Sequence, residues 1–128
     1  MHPSSTNYRL ATEKDRFTIY EHFDLTSILG WPVVVAERED KIIGFFGTQD
    51  RKDVIVAGPM GISIKIKGFV AMRLVEAYDN LMRSFGVKEY LFSIDSKNNA
   101  KWLKQVHDTG FCTKMDDVED ESWYKRQL

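Results

Sequence analysis

The spacing of hydrophobic side chains predicts three helices along this chain. Thr12 is a suitable N-cap, because acidic residues follow it in the first turn, where the helix dipole favours negative charge. Apolar side chains then recur at helical spacing, so the first helix is expected to end near His22. A second helix is expected over Gly68–Phe85, with Gly86 as a left-handed C-cap, and a third over Lys97–Asp108. The predicted buried face of the second helix consists of Phe69, Met72, Val75, Tyr78, Leu81, Met82 and Phe85.

Short runs rich in β-branched and aromatic residues predict the strands of a sheet. Two of these runs flank Glu39-Asp40, a pair suited to a tight turn, and form a predicted hairpin. Gly58, Pro59 and Gly61 interrupt another run, which we interpret as one strand with a bulge or bend in its middle. The predicted strands are Tyr8–Thr12, Val33–Arg38, Lys41–Thr48, Val54–Ile64, Val87–Ile94, Phe111–Met115 and, at an edge, Trp123–Arg126, with an acidic loop at Asp116–Glu121.

The order of these elements predicts an α/β domain. It runs strand, helix, hairpin, strand, helix, strand, helix, hairpin. The strand–helix–strand unit Val54–Ile94 is expected to be a right-handed crossover that places its two strands parallel. With 128 residues, the chain is expected to form a single domain over residues 1–128.

Composition and charge exclude several kinds of protein. The hydrophobic fraction of 43% and the charged fraction of 29% are ordinary for a globular domain. The net charge of -1 gives no global basic excess for nucleic acid or an anionic membrane. No apolar run is long enough to span a bilayer, and the first residues lack the features of a secretory signal. No membrane partner is therefore expected.

Cysteine and histidine usage predicts no metal site. Cys112 is the single cysteine, so neither an internal disulfide nor a Cys-based metal site is expected. We interpret it as a small buried core thiol and not as a nucleophile. The three histidines lie far apart in the chain, without ligand spacing. A reducing, cytoplasmic setting is expected.

Three segments resemble the GNAT superfamily of N-acetyltransferases, and together they span nearly the whole chain. Arg9–Asp15 is similar to that family's first strand and helix cap, and Val33–Thr48, with its Ile43-Gly44 pair, is similar to the second and third strands. Ser96–Phe111, with an asparagine near a helix start and then Gly110-Phe111, is similar to the last helix. The resemblance implies a GNAT-like α/β (α+β) fold, with a mixed, mostly antiparallel sheet, one parallel strand pair, and helices on both faces.

The resemblance also implies acetyl-CoA as co-substrate, whose pyrophosphate needs hydrogen-bond donors and positive charge. A loop before a helix N-terminus provides both. In the family this loop reads Gln/Arg-x-x-Gly-x-Gly/Ala, and the matching residues here are Lys65-Ile66-Lys67-Gly68-Phe69-Val70. Gly68 is kept and Lys67 adds a positive charge, whereas Lys65 and Val70 depart from the pattern. The alternative interpretation is a loop with two solvated lysines before a core helix.

Further contacts with the co-substrate are implied by the same resemblance. The strand Met60–Ile64 would hydrogen-bond the pantetheine arm, and a backbone N–H near Ile62 would face the thioester carbonyl as an oxyanion donor. Asn99 matches the family's asparagine that bonds this arm, although hydrogen bonding to local backbone explains it equally well. The implied binding residues are Met60, Ile62, Ile64, Lys65, Ile66, Lys67, Gly68, Phe69, Val70 and Asn99.

The family's catalytic tyrosine is missing from its usual position. It commonly protonates the leaving thiolate from a position four residues before the Gly-Phe pair, which is Val106 here. An amine acceptor is mostly protonated at neutral pH, so a base or a water chain must remove a proton. The candidate groups are Glu37 and Ser93, with Asp53 and Asp95 as further carboxylates, and the sequence does not distinguish among them.

Two functions of different class fit these residues. The first is acyl-CoA-dependent transfer of an acetyl group to an amine of a small molecule or a protein, without a covalent enzyme intermediate. The second is a noncatalytic structural or interaction protein, because the chain is also similar to short phage-borne GNAT-like proteins, some of which are virion or head-assembly components. The helix Asn99–Gly110, with Trp102-Leu103 inside it, carries that similarity. It implies protein partners and a location in the host cytoplasm or the virion.

Two other surface features have open or weaker interpretations. Trp31 and Trp123 would line either a substrate cleft or a partner surface. Nucleic-acid binding through Lys65, Lys67, Arg73 and Arg83 is disfavoured, because residues 73 and 83 do not share one face with the loop and the chain as a whole is not basic.

Overall fold

The computed structural model describes residues 5–25, 29–51, 54–63, 67–95, 110 and 112–128. Within them, strands and helices follow each other in the predicted order. The predicted helix Lys97–Asp108 lies outside the described residues. The elements are β1 (Asn7–Leu10), α1 (Glu13–His22), β2 (Gly30–Arg38), β3 (Lys41–Asp50), β4 (Ile55–Ile62), α2 (Lys67–Ser84), β5 (Glu89–Asp95), β6 (Thr113–Val118) and β7 (Glu121–Gln127).

The described strands form one seven-stranded sheet in the order β1-β2-β3-β4-β5-β7-β6. β4 and β5, which α2 connects, are parallel, and each of the other neighbouring pairs is antiparallel. A mixed, mostly antiparallel sheet with one parallel pair confirms the predicted fold class. The prediction of an edge strand at Trp123–Arg126 is wrong, because β7 pairs with both β5 and β6, which leaves β6 at the edge.

Acidic residues form the turns of the β2–β3 and β6–β7 hairpins. Glu39 and Asp40 join β2 to β3 with φ values of 53° and 62°, as a tight hairpin turn of this hand requires. Glu119 begins the turn between β6 and β7 with φ of 56°. The predicted acidic loop Asp116–Glu121 is therefore too long, since its first residues belong to β6 and its last residue to β7.

The two helices within the described residues pack on opposite faces of the sheet, as the alternation of β2 shows. Successive side chains of a strand point to opposite faces. Val33 and Val35 belong to the core beneath α1, together with Ile19 of that helix, whereas Val34 and Ala36 belong to the core beneath α2. All are buried, which explains why β2 reads as an uninterrupted hydrophobic run.

α2 buries only three of the seven residues predicted for its buried face, and these are Val75, Tyr78 and Met82. Phe69, Met72 and Phe85, which were predicted to be buried, are 60%, 64% and 61% exposed. Two apolar stripes overlap on this helix. The stripe that contains Leu74 faces the sheet, where it packs closely over Gly44: a Cβ added at Gly44 would lie 3.3 Å from the Leu74 side chain. The buried residues of α2 are Val70, Ala71, Leu74, Val75, Tyr78, Asp79 and Met82.

α1 begins and α2 ends as the sequence predicts. The Thr12 hydroxyl accepts a hydrogen bond from the Asp15 backbone N–H, and the Asp15 carboxylate accepts one from the Thr12 N–H, which makes a reciprocal capping box. After α2, Gly86 has φ of 81°, and the N–H of Val87 donates to the Met82 carbonyl at 3.0 Å. The Gly86 cap ends α2 shortly before β5 begins at Glu89.

Candidate functional site

The parallel strands β4 and β5 separate soon after they meet. Across residues 55–62 and 89–95, whose backbones are all described, the two strands pair at one position, Val56 opposite Leu91. Beyond it, β4 remains paired with β3 as far as Ile62, and β5 remains paired with β7 as far as Asp95. The sheet therefore opens between the carboxyl ends of its two parallel strands, which is where α/β sheets commonly bind ligands. We call this gap the opening.

A bulge in β4 lies beside the opening. Ala57 pairs with Thr48 and Met60 pairs with Phe46, so two residues of β4 lie opposite a single residue of β3. Gly58, within the bulge, has φ of 120°, which favours glycine. The predicted bulge in the middle of this strand is confirmed, and it bends β4 where the strand leaves β5.

The N-terminus of α2 follows the carboxyl end of β4. The first N–H groups of a helix have no partner inside the helix, so this end attracts anions. No acidic residue lies in the first turn of α2. Val70 is buried on the sheet, whereas Phe69 is exposed and has the Arg73 guanidinium 5.3 Å from its ring centre. The helix start thus combines a positive dipole end with an apolar anchor.

Four of the implied binding residues are described with their side chains. Met60 and Ile62 lie on β4 and pack, partly buried, against the core beneath α2, and Phe69 and Val70 lie in the first turn of α2. Lys67 and Gly68 are also in that turn, but only their backbone is described. The others lie outside the described residues, so the contacts implied for them stay predictions: Ile64, Lys65, Ile66 and Asn99.

The two candidate groups for proton transfer have different surroundings. Glu37 accepts a hydrogen bond from Arg9 at 3.0 Å, and Arg9 also binds the Asp15 carboxylate at 2.6 Å and 3.1 Å. β3 lies between the strand of Glu37 and β4. Ser93, in contrast, lies on β5 just beyond Leu91, beside the opening. Three other positions considered from the sequence are not among the described side chains: Asp53, Asp95 and Val106.

A buried polar network, which was not predicted, connects α2 to the sheet on both sides of the opening. The Tyr78 hydroxyl lies 2.8 Å from that of Thr48 on β3. Asp79, next along the helix, accepts hydrogen bonds from Tyr90 on β5 at 2.6 Å and from Arg126 on β7 at 3.1 Å. α2 thereby ties the β3–β4 part of the sheet to the β5–β7 part. The available signal was Asp79 itself, a carboxylate beside the buried stripe of an amphipathic helix.

Burial sets the protonation of the groups in this network. It raises the pKa of Tyr78 to about 12. Burial, followed by the charge of Asp79, also raises the pKa of Tyr90. Both phenols therefore stay protonated at neutral pH and stabilise the fold through hydrogen bonds.

The single cysteine lies in a separate small core. Cys112 packs against Ile94 and Tyr124, and burial raises its pKa to about 11. A thiol with a raised pKa forms little thiolate at neutral pH, so it is a poor nucleophile. Cys112 is partly buried against this core, which agrees with the predicted packing but not with full burial.

Beside the opening, the sheet face that α1 covers carries Ser93 and Trp123. Tyr90 points towards α2, where it reaches Asp79. Ser93 lies three residues after Tyr90 on β5. Because successive side chains of a strand alternate between the two faces, Ser93 points towards the α1 face. Trp123 is the cross-strand neighbour of Ser93 on β7 and points the same way. A hydroxyl and a partly buried indole therefore lie together on this face.

Arg51 reaches over the α1 face from the other side of the opening. Arg51 directly follows β3. Near the end of that strand, the Thr48 side chain points towards Tyr78 on α2, so the side chain of the next residue, Gln49, points to the α1 face. The Arg51 guanidinium lies 5.7 Å from the ring centre of Trp123, and its Nη2 donates to Gln49 Oε1 at 3.2 Å. The guanidinium of Arg51, which follows β3, thus contacts the ring of Trp123 on β7, although β4 and β5 lie between these two strands in the sheet.

No helix among the described residues combines the length and the apolar character needed to cross a membrane. The described part of the chain also contains no group of three or more His, Cys, Asp or Glu side chains placed to hold a metal ion.

Known proteins resemble this chain in structure rather than in sequence. No protein-family model matches it, and no curated protein does. Among solved structures, yncA of Salmonella typhimurium, which was solved with its cofactor acetyl-CoA, superposes with a TM-score of 0.68 at 17% sequence identity. That match covers 96% of this chain and 94% of the other.

Two further structures extend the comparison. The PaiA N-acetyltransferase of Thermoplasma acidophilum, in complex with coenzyme A, has a TM-score of 0.63 at 10% identity and covers 91% of this chain and 72% of that chain. A GNAT-family acetyltransferase of Streptococcus pneumoniae has a TM-score of 0.69 at 10% identity and covers 97% and 100%. Identities this low show a shared fold and leave activity open. The chain has the fold of the GNAT-family acetyltransferases, as the resemblance in its sequence predicted.

Proposed function

We propose that this protein is an acyl-CoA-dependent N-acyltransferase that moves an acetyl group from acetyl-CoA to an amine. The observation that carries the proposal is the opening between β4 and β5, with the N-terminus of α2 at its carboxyl end. The opening leaves one edge of β4 without a strand partner beyond Val56 among residues 55–62 and 89–95. An extended ligand with amide groups can pair with such an edge.

The residues around the opening suit the parts of acetyl-CoA. The amides of the pantetheine arm would pair with the free edge of β4 near Met60 and Ile62. The pyrophosphate would bind the first N–H groups of α2, where Lys67 adds positive charge. The fold similarity to yncA, solved with acetyl-CoA, and to PaiA, solved with coenzyme A, supports this placement.

The reaction needs few groups from the protein. The acceptor nitrogen, once neutral, attacks the thioester carbonyl, the new C–N bond forms and the C–S bond breaks. The proton lost by nitrogen leaves through a base or a water chain, and the coenzyme A thiolate takes up a proton. A backbone N–H near Ile62 would stabilise the oxyanion, and Ser93 would relay a proton at the edge of the opening.

A second candidate is a noncatalytic structural or interaction protein of the same fold, such as a phage virion or head-assembly component. One observation favours it: Arg9 holds the carboxylate of Glu37, a candidate base, in an ion pair at 3.0 Å. Such a protein would bind partner proteins and perform no transfer. A cytoplasmic setting, with its supply of acyl-CoA, fits the first candidate better.

Calorimetric titration with acetyl-CoA tests the proposal. We expect micromolar binding to the wild-type chain and none to Gly68→Trp, because the indole would cover the first turn of α2. Met72→Trp is the matched control, since it adds the same side chain to an exposed position of the same helix and should leave binding unchanged. A folded wild-type protein that binds no acetyl-CoA at millimolar concentration would contradict the proposal and favour the second candidate.

A further inference from the structure

Arg51 is exposed, and two contacts with described side chains position its guanidinium. Its guanidinium rests over Trp123 and uses one nitrogen to bond Gln49. Among the side chains that the structure describes, none is a carboxylate paired with Arg51, whereas Arg9, Arg73 and Arg126 each bind one. A guanidinium carries five N–H donors in a planar fork that matches a carboxylate. With respect to the described side chains, which do not include those of Asp50 and Asp53, Arg51 therefore has donors available for an anion from outside the chain.

The position of Arg51 places that anion beside the reaction. Gln49, its partner, lies next to the bulge of β4, where a Cβ on Gly58 would be 4.0 Å from the Gln49 side-chain nitrogen. Trp123, the other contact, stands opposite Ser93 on the far side of the opening. A small molecule bound to Arg51 on the α1 face would thus have its other end at the gap between β4 and β5.

We propose that the acceptor is an amine that also carries a carboxylate, such as an amino acid, and that Arg51 binds this carboxylate. The inference rests on the proposed function and names its substrate class. The Trp123 ring supports the guanidinium and covers the apolar part of the acceptor, and Gln49 fixes the orientation of the fork. The same positive charge repels acceptors that carry a second ammonium group in place of the carboxylate, so polyamines are excluded.

Transfer assays with matched acceptors test this inference. Coenzyme A release is measured with a panel of α-amino acids and with the corresponding amino acid amides, which keep the amine and lose the carboxylate. We expect release with acids and little with amides. Arg51→Gln should raise KM for the acids by about tenfold to a hundredfold, the usual range for losing a charged hydrogen bond, and Arg51→Lys should restore part of the loss.

Two controls distinguish a failure of the inference about Arg51 from a failure of the proposed function. Arg83→Gln removes another exposed arginine that bonds a side-chain amide, that of Asn80 at 3.2 Å, and should leave KM unchanged. Acetyl-CoA binding by calorimetry should be the same in wild type and Arg51→Gln. Equal turnover of acids and amides, no turnover of any acid by a chain that binds acetyl-CoA, or loss of acetyl-CoA binding in Arg51→Gln would each overturn the inference. A wild-type chain that does not bind acetyl-CoA would instead overturn the proposed function itself.

Discussion

The Tyr90 hydroxyl donates a 2.6 Å hydrogen bond to the Asp79 carboxylate, and this contact joins β5 to α2 inside the core. Asp79 is buried and also binds Arg126 of β7. β4 and β5 pair at a single position, Val56 opposite Leu91. α2 therefore provides a second connection between the two parts of the sheet, because Asp79 binds β5 and β7 while Tyr78 contacts Thr48 on β3.

Replacing Asp79 should therefore destabilise the whole fold. Asp79→Ala removes the acceptor from the buried Tyr90 hydroxyl and from the partly buried Arg126, and leaving a buried donor without its partner typically costs about 1–3 kcal/mol in the free energy of unfolding. Urea denaturation measures this loss. Glu76→Ala on the same helix is the control, because its ion pair with Arg73 is exposed and should contribute little. An Asp79→Ala midpoint equal to that of wild type would contradict the assigned role.

Acid should weaken the N-terminal part of the fold through Asp15. The hydrogen bond from Arg9 lowers the pKa of Asp15 to about 2, from an ordinary value of 3.8. Since the folded-state pKa is the lower one, ionised Asp15 stabilises the fold fully above the ordinary value, and this stability is lost as the pH falls through the folded pKa. Wild type should thus lose stability between about pH 4 and pH 2.

Asp15→Asn should lose less stability over that pH interval, while being less stable than wild type at neutral pH. Urea midpoints measured at a series of pH values give both quantities. Glu21→Gln, at an exposed position of the same helix, should follow the wild-type curve. If the urea midpoints of wild type and Asp15→Asn fall equally between pH 4 and pH 2, the Arg9–Asp15 pair is not the cause of the loss of stability in acid.

Close packing at Gly61 should make this position intolerant of a larger residue. A Cβ there would lie 2.6 Å from Phe45 Cε1 and 2.8 Å from Phe23 Cδ1, so Gly61→Ala must displace two aromatic rings. Overpacking of this kind typically costs about 1–3 kcal/mol. Gly44→Ala is the graded control, since its nearest atoms are 3.2 Å away or more. Thermal unfolding should rank wild type above Gly44→Ala and Gly44→Ala above Gly61→Ala, and the reverse order of the two variants would contradict the packing.

Local signals in the sequence predicted the fold well. The capping residues Thr12 and Gly86, the Glu39-Asp40 turn and the bulge near Gly58 each depend on neighbouring residues, and each is confirmed. The parallel pair followed from chain connectivity, since a helix of this length joins β4 to β5. Features that depend on a few consecutive residues were therefore accessible without a structure.

Features that depend on distant residues were not accessible in this way. The buried face of α2 was predicted through Phe69 and Met72, yet hydropathy alone cannot choose between two overlapping apolar stripes, and the contact with the sheet decides. In the last hairpin, either strand had the composition to pair with β5, so the position of β7 between β5 and β6 required the structure. The contact between Asp79 and Tyr90 joins two elements and has no periodic signature.

The structure describes only part of the site that the resemblance implied. The resemblance to the GNAT superfamily indicated β4 and the start of α2, where Met60, Ile62, Phe69 and Val70 lie around one end of the opening. The contact between Arg51 and Trp123 was not predicted, because the two residues lie far apart in the chain and meet only in the folded sheet.

The most direct test of the central claim is an NMR titration with coenzyme A that follows the backbone amide resonances. On titration of the isotopically labelled chain, we predict the largest shift changes at the carboxyl half of β4, over residues 58–62, and in the first turn of α2, over residues 67–70. The edge strand Thr113–Val118 serves as an internal control and should show no change. Shifts confined to other surfaces, or no shifts at saturating coenzyme A, would contradict the account that the opening between β4 and β5 is an acyl-CoA site.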